Sequence, residues 1–295
     1  MITLNTTAPV AHAGLLGLGV FRPERIVTND EICQKIDSND EWIQERSGII
    51  ERRHADAHET VVTMATAAAL AALADAGISP EQLDMVMIAT VTHRYQTPSA
   101  AVEVAAAIGA VNAAAIDSSA ACAGFCYGLG IADGMIRSGV AKYILLIGAE
   151  KLSEIVNFED RGTAFLFADG AGAVIIGETK VQGIGPTIWG ADGTQLDAII
   201  MEPDVFTAEK TGNPSVLTMQ GQQVFRWAVG QMGDACTQAM TAAGVSVADL
   251  AAFVPHQANN RITDALVKQL NLPDHVAIAR DIQYSGNTSA ASVPL

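Results

Sequence analysis

The chain has 295 residues, of which 49% are apolar and 17% charged, which suits a large buried core and excludes a disordered, collagenous or coiled-coil protein. A formal charge of −15 excludes the basic footprint of a nucleic-acid binder. Four cysteines without a Cys-x-x-Cys pair make neither a disulfide scaffold nor a zinc or thioredoxin-like site.

The N-terminal stretch MITLNTTAPVAHAGLLGLGV has no basic region ahead of its apolar run and reads as a poor secretion signal. The Ala-rich stretch from Met64 to Ala74 is too short to span a bilayer and is followed by Asp75. A soluble cytoplasmic protein without membrane attachment is expected. In chain order, short apolar runs predict strands at 14–20, 85–91, 114–117, 143–149 and 172–178, then at 183–190, 251–255 and 275–279. Helical patterns fall between them over 59–76, 98–108, 122–138, 221–243 and 260–270. Gly77, Gly109, Gly139 and Gly244 stand where glycine ends helices. This alternation predicts an α/β fold with mostly parallel strands.

An internal repeat divides the chain. Ala76-Gly77-Ile78-Ser79-x-x-x-Leu83-x-x-Val86 matches Ala243-Gly244-Val245-Ser246-x-x-x-Leu250-x-x-Phe253 without a gap, 167 positions later. Two similar βαβαβ halves are therefore expected, 1–180 and 181–295. Carried forward by the same offset, the counterparts of the strands at 143–149 and 172–178 fall beyond Leu295. The second half thus reads as incomplete and the chain as C-terminally truncated.

Three residues at strand-to-helix turns could do chemistry. Cys122 follows the small-residue turn Ser118-Ser119-Ala120-Ala121 and precedes an amphipathic helix, where free N–H groups and the helix dipole favour a thiolate. It reads either as a nucleophile or as a small core residue; Cys33, Cys126 and Cys236 read as packing residues. His256 closes a strand in Val254-Pro255-His256-Gln257, catalytic or structural, and Asn287 is a donor or a helix cap. Together they suggest covalent catalysis assisted by polar groups. His54-x-x-x-His58 lies in a loop, and no metal site is expected there.

The segments Cys122-Ala123-Gly124-Phe125, Val254-Pro255-His256-Gln257-Ala258-Asn259 and Gly286-Asn287-Thr288-Ser289-Ala290-Ala291-Ser292-Val293-Pro294 resemble the active-site motifs of β-ketoacyl-acyl-carrier-protein synthase III. Asp40-Glu41-Trp42-Ile43-x-x-Arg46-x-Gly48-Ile49, Asp160-Arg161-Gly162 and Phe167-x-Asp169-Gly170-Ala171-Gly172-Ala173 resemble that family too, in order along the chain. The resemblance implies a thiolase fold with duplicated halves in αβαβα layers, and a homodimer. Family members continue past the Asn-Thr-Ser-Ala-Ala-Ser segment into a helix, two strands and a glycine-rich loop, in line with the expected truncation.

The resemblance also implies a mechanism. Cys122 would accept an acyl group from acyl-CoA and pass it to the carbanion left when malonyl-acyl-carrier protein loses CO₂. His256 and Asn287 would hydrogen-bond the malonyl thioester oxygen, and no metal or redox cofactor is required. Trp42, Arg46 and Arg161 match CoA-contacting positions, and Arg226, Arg261 and Lys268 match basic positions for carrier-protein docking. Thr97 stands where short-primer relatives have a large aromatic residue, which implies a deeper acyl pocket and longer primers. Rival expectations are another ketide-forming enzyme of the same fold, a Cys-His-Asn hydrolase, and an inert truncated binding protein.

Overall fold

Residue-by-residue alternation along the strands sorts the core into two faces. Val86 and Ile88 pack into one apolar cluster with Leu145, Ile147 and Ala173, whereas Met87, Ile144, Leu146 and Val174 pack into another. A sheet buried on both sides by helices produces this division. The structure, a computed structural model, describes residues 7–295; the opening six residues of the N-terminal stretch read above lie outside the described residues.

The chain begins with β1 (Ala13–Phe21), β2 (Ile26–Thr28), α1 (Asn29–Cys33), α2 (Asp40–Ser47) and β3 (Glu51–Arg53). Next come α3 (Val61–Ala76), β4 (Met85–Ala89), α4 (Ala100–Ile108), β5 (Ala114–Ser118), α5 (Gly124–Arg137), β6 (Tyr143–Lys151) and β7 (Asp169–Glu178). The later part holds β8 (Ile199–Glu202), α6 (Val205–Thr211), β9 (Val216–Met219) and α7 (Gly221–Ala243). It closes with β10 (Ala252–Phe253), α8 (Asn260–Leu270), β11 (Ala277–Ile278) and α9 (Ile282–Ser285).

The main sheet has the order β1-β7-β6-β4-β5. Only β4–β5 and β4–β6 run parallel; β6–β7 and β7–β1 are antiparallel, so the expected mostly parallel sheet is mixed. Helices α3 and α4 cover one face and α5 the other. At Gly17 and Gly19 a Cβ would run into the backbone of α3, at Ala72 and Ala68, so these glycines of β1 set how closely helix and sheet approach.

The repeat is structural as well as sequential. Helices α3 and α7 both end on a left-handed glycine, Gly77 or Gly244. A short 3₁₀ turn follows in each, capped by Ser79 with Gln82 and by Ser246 with Asp249. The parallel β4-α4-β5 unit then has its counterpart in parallel β10-α8-β11. Among the described residues the second half contains this one unit, rather than a second complete βαβαβ sheet. The stretch 183–190 is not a strand: it makes one backbone bond, Gly183 N–H to Ala13 O at 2.9 Å, and Gly185, Pro186 and Gly190 interrupt it. Cys126 falls off the buried stripe of Phe125, Gly128, Ala132 and Ile136 on α5 and is exposed, so it is not the core residue expected.

Candidate active site

Because β4, β5 and β6 are parallel, their C-terminal ends lie along one edge of the sheet, where α/β folds place their ligands. The chain leaves β5 there and turns into α5. Ala121 takes φ +45°, a conformation alanine rarely adopts, and bends the backbone immediately before Cys122. The half-buried thiol therefore stands at the positive end of the 14-residue α5.

A second turn, residues 287–292, closes over it. Asn287 N–H donates to Leu166 O and Ala168 N–H donates to Asn287 O, each at 2.9 Å, which pins the turn to the segment before β7. The Asn287 side-chain Oδ1 accepts the Ser289 N–H at 2.9 Å, leaving Nδ2 as the donor that can face a ligand. Close approach to β6 is possible because residue 148 is glycine: a Cβ there would strike Ala290 O. His256, just beyond β10, places Nδ1 2.6 Å from the Ser292 hydroxyl, and its ring hydrogen-bonds Cys122. Cys122, His256 and Asn287, 165 positions apart at the extremes, thus meet at one turn.

Their electrostatics are coupled. Burial by itself pushes the Cys122 thiol up, but the adjacent His256 charge and hydrogen bonds from His256, Ser289 and the Cys122 N–H outweigh it and bring the thiol down to about 7. For His256 burial pushes the imidazole down, and the Cys122 charge and hydrogen bond outweigh that and raise it. Alkylation of Cys122 by iodoacetamide is therefore expected to increase with pH through a midpoint of about 7, because the thiolate reacts. Removing the cation in His256→Ala should move that midpoint upward, toward the ordinary thiol value of about 8.5. A midpoint left in place in the variant would mean that the imidazole does not hold the thiolate.

The other expected residues lie around this centre. Trp42, half-buried on the first turn of α2, is flanked by the exposed Arg161 at 4.3 Å and Arg46 at 5.6 Å from its ring, and its edge meets Phe165. Asn259 links this cluster to α8: its Nδ2 donates to Arg46 O at 2.9 Å, while its Oδ1 caps the helix at Arg261 N–H. Arg261 lies over the Phe225 ring at 5.1 Å, which brings it beside the exposed Arg226. Lys268 is exposed two turns further along α8, away from that pair, and Asp264 between them is paired with Arg280 at 2.7 Å. Thr97 is exposed on the loop between β4 and α4, not enclosed in a pocket wall of this chain.

Several groups near the centre have no motif of their own. Glu150, at the end of β6, is fully buried and accepts from the Val91 N–H at 3.1 Å and from the hydroxyls of Thr92 and Thr90. Burial pushes its carboxyl up to about 7 against the pull of those hydrogen bonds. Its one trace in the sequence is an acid closing the apolar run Ile147-Gly148-Ala149. Asp117, at the end of β5, accepts the Ala100 and Ala101 N–H groups at 2.7 and 2.8 Å and so fixes the start of α4 beside the Thr97 loop. Ser289 and Ser292 stand inside the 287–292 motif, yet only the folded turn assigns them partners.

Residues 116–193 match the 3-oxoacyl-[acyl-carrier-protein] synthase III family, and residues 240–295 match the family describing the C-terminal part of that enzyme. A mycobacterial β-ketoacyl-[acyl-carrier-protein] synthase III from Mycolicibacterium paratuberculosis is 49% identical over 297 residues, covering 100% of this chain and 89% of its own length. The Streptomyces glaucescens β-ketoacyl-[acyl-carrier-protein] synthase III is 50% identical over 96% of this chain and 86% of its own. Among solved structures, the priming β-ketosynthase from the R1128 polyketide biosynthetic pathway superposes with a TM-score of 0.96 at 43% identity, over 99% of this chain and 87% of that one. The 3-oxoacyl-[acyl-carrier-protein] synthase III of Aquifex aeolicus VF5 superposes with a TM-score of 0.88 at 42% identity, over 96% and 88%. The C-terminal truncation expected from the repeat offset is not borne out by these matches, which run along the whole of this chain. With about half its positions identical over that length and the same thiolase-type architecture, the chain belongs to the β-ketoacyl-[acyl-carrier-protein] synthase III family.

Proposed function

We propose that this synthase III condenses an acyl-CoA primer with malonyl-acyl-carrier protein in two steps, and so begins an acyl chain. The observation that carries the reading is the Cys122 thiol, lowered to about 7 and facing His256 beside the Asn287 turn. In the first step the thiolate attacks the acyl-CoA carbonyl carbon; its new C–S bond replaces the bond to CoA, which leaves as a thiolate and is protonated through solvent by the proton that the His256 imidazolium releases as it returns to neutrality. In the second, the bond between malonyl carbon and its carboxylate breaks, CO₂ leaves, and the electron pair forms an enolate. His256 and the Asn287 Nδ2 donate to the thioester oxygen where that charge gathers. The carbon then attacks the acyl-Cys122 carbonyl, with the Cys122 N–H donating to the tetrahedral oxyanion. Collapse releases the thiolate and the β-ketoacyl-carrier protein.

The two halves take separate parts in this scheme: residues 1–180 carry the nucleophile, and 181–295 carry His256 and Asn287. CoA lies against Trp42, whose face suits adenine, with Arg46 and Arg161 for its phosphates. The acidic carrier protein approaches the neighbouring Arg226 and Arg261, with Lys268 exposed two turns further along α8, on a chain of charge −15. A homodimer forms along β5, an edge strand that leaves Ile116 42% exposed. Thr97 lines the acyl pocket once a second copy covers its loop. Replacing Thr97 with Phe should then shift preference from longer acyl-CoAs toward acetyl-CoA in competition assays; an unchanged chain-length profile would remove Thr97 from the pocket. No helix among the described residues is long and apolar enough to cross a membrane, and we place the enzyme in the cytoplasm.

Intact-mass spectrometry after incubation with acyl-CoAs of graded length, and again after malonyl-acyl-carrier protein, tests the scheme. The expected sequence is a gain of one acyl group, then its loss with a new β-ketoacyl-carrier product. Discharge to free acid without extension would make the protein a hydrolase. The likeness to the R1128 enzyme favours a second reading, in which the same chemistry primes a polyketide. Parallel assays with carrier proteins from fatty-acid and polyketide systems separate the two.

A further inference from the structure

The His256 ring has two nitrogens, and the Ser292 hydroxyl settles which of them carries the proton. Nδ1 lies 2.6 Å from Ser292 Oγ, leaving Nε2 toward Cys122. The same Oγ accepts the Gln257 N–H at 3.1 Å, so one of its lone pairs is already used. Ser292 is 4% exposed, and its single hydroxyl proton therefore needs an acceptor within the protein. Nδ1 is the acceptor at hydrogen-bond distance. A neutral imidazole that accepts at Nδ1 carries its proton on Nε2.

We propose that Ser292 is a positioning residue that locks neutral His256 in the Nε2–H form, with that N–H directed at the reacting atoms. Its effect falls on one half of the reaction. While Cys122 is a thiolate, its charge favours a doubly protonated His256, and the Ser292 hydroxyl then turns to accept from Nδ1–H. Acylation of Cys122 removes the negative charge, and burial returns the imidazole to the neutral state. Only then does a choice of tautomer exist. It is made in time for the decarboxylation, which needs a donor rather than a lone pair at Nε2. The assignment to that half-reaction rests on the condensation proposed above; the tautomer itself does not.

Two measurements test these parts separately. The first is ¹⁵N NMR of the full chain labelled at histidine, with Cys122 capped by iodoacetamide and the His256 signals identified among six histidines by their loss in His256→Ala. A protonated Nε2 with a bare Nδ1 is expected; a protonated Nδ1 overturns the proposal. The second compares the half-reactions in Ser292→Ala. Acylation should stay within about threefold of the parent, while malonyl decarboxylation falls roughly tenfold or more. Ser292→Thr, which keeps the hydroxyl, should restore decarboxylation. Equal losses in both half-reactions would mean that Ser292 only supports the turn. Should Ser292→Ala fail to fold, Ser292→Cys, which differs by one atom and donates weakly, carries the same comparison. If the unaltered protein takes up no acyl group, the condensation fails as a function, and the NMR result still decides the tautomer.

Discussion

Cys122→Ala should take up no acyl mass from acyl-CoA and should lose condensation by roughly 10⁴-fold or more, the scale on which removing a catalytic nucleophile acts. The reason is geometric. Cys122 is the cysteine that joins a helix N-terminus, a facing imidazole and the Ser289 hydroxyl. Burial raises the thiols of Cys33 and Cys236, the latter raised further by Cys126, which itself lies exposed on α5. None of those three is positioned to replace it. The variant keeps His256 and Asn287 in place, so it should still decarboxylate malonyl-acyl-carrier protein while forming no ketoacyl product. Carbon dioxide release and intact mass, measured together, separate these outcomes. An acyl adduct that persists on Cys122→Ala would move the nucleophile elsewhere.

Asn287→Ala is expected to slow malonyl decarboxylation by about 10²- to 10³-fold, as loss of an oxyanion donor does, and to leave acylation within a few-fold. The variant can keep its shape because the bonds that pin the turn are made by the Asn287 backbone, to Leu166 and Ala168. His256→Ala should lose both half-reactions, since the imidazole holds the thiolate in one and donates to the developing oxygen charge in the other. That contrast is the useful readout. If Asn287→Ala slowed acylation as much as decarboxylation, its amide would be supporting the turn rather than stabilising charge.

The chain's local architecture was legible where the determinants are local. The boundaries expected for the helix at 221–243 and the helix at 260–270 coincide with α7 and α8, and Gly77, Gly109 and Gly244 end helices in left-handed conformations. These features depend on apolar spacing and on side chain-to-backbone bonds only a few residues apart. Short α2 escaped because only Ile43 and Ser47 of its eight residues face inward, too few to set a period. Strands β8 and β9 pair with each other from 14 or more positions apart, and no apolar alternation announces either.

The site divides the same way. Motifs in the sequence singled out Cys122, His256 and Asn287, and the internal repeat between Ala76 and Ala243 marked the duplicated units that hold them. Glu150 and Ser292 remained anonymous because what distinguishes them is their partners: Glu150 meets Thr92 across 58 positions, and Ser292 meets His256 across 36. By itself, then, the sequence of 295 residues and charge −15 determined an acidic α/β protein of two related units with a cysteine nucleophile candidate. Tertiary structure alone decided the mixed sheet order, the burial of Glu150 and the pairing of His256 Nδ1 with Ser292, because each depends on which distant groups share a space from which water is excluded.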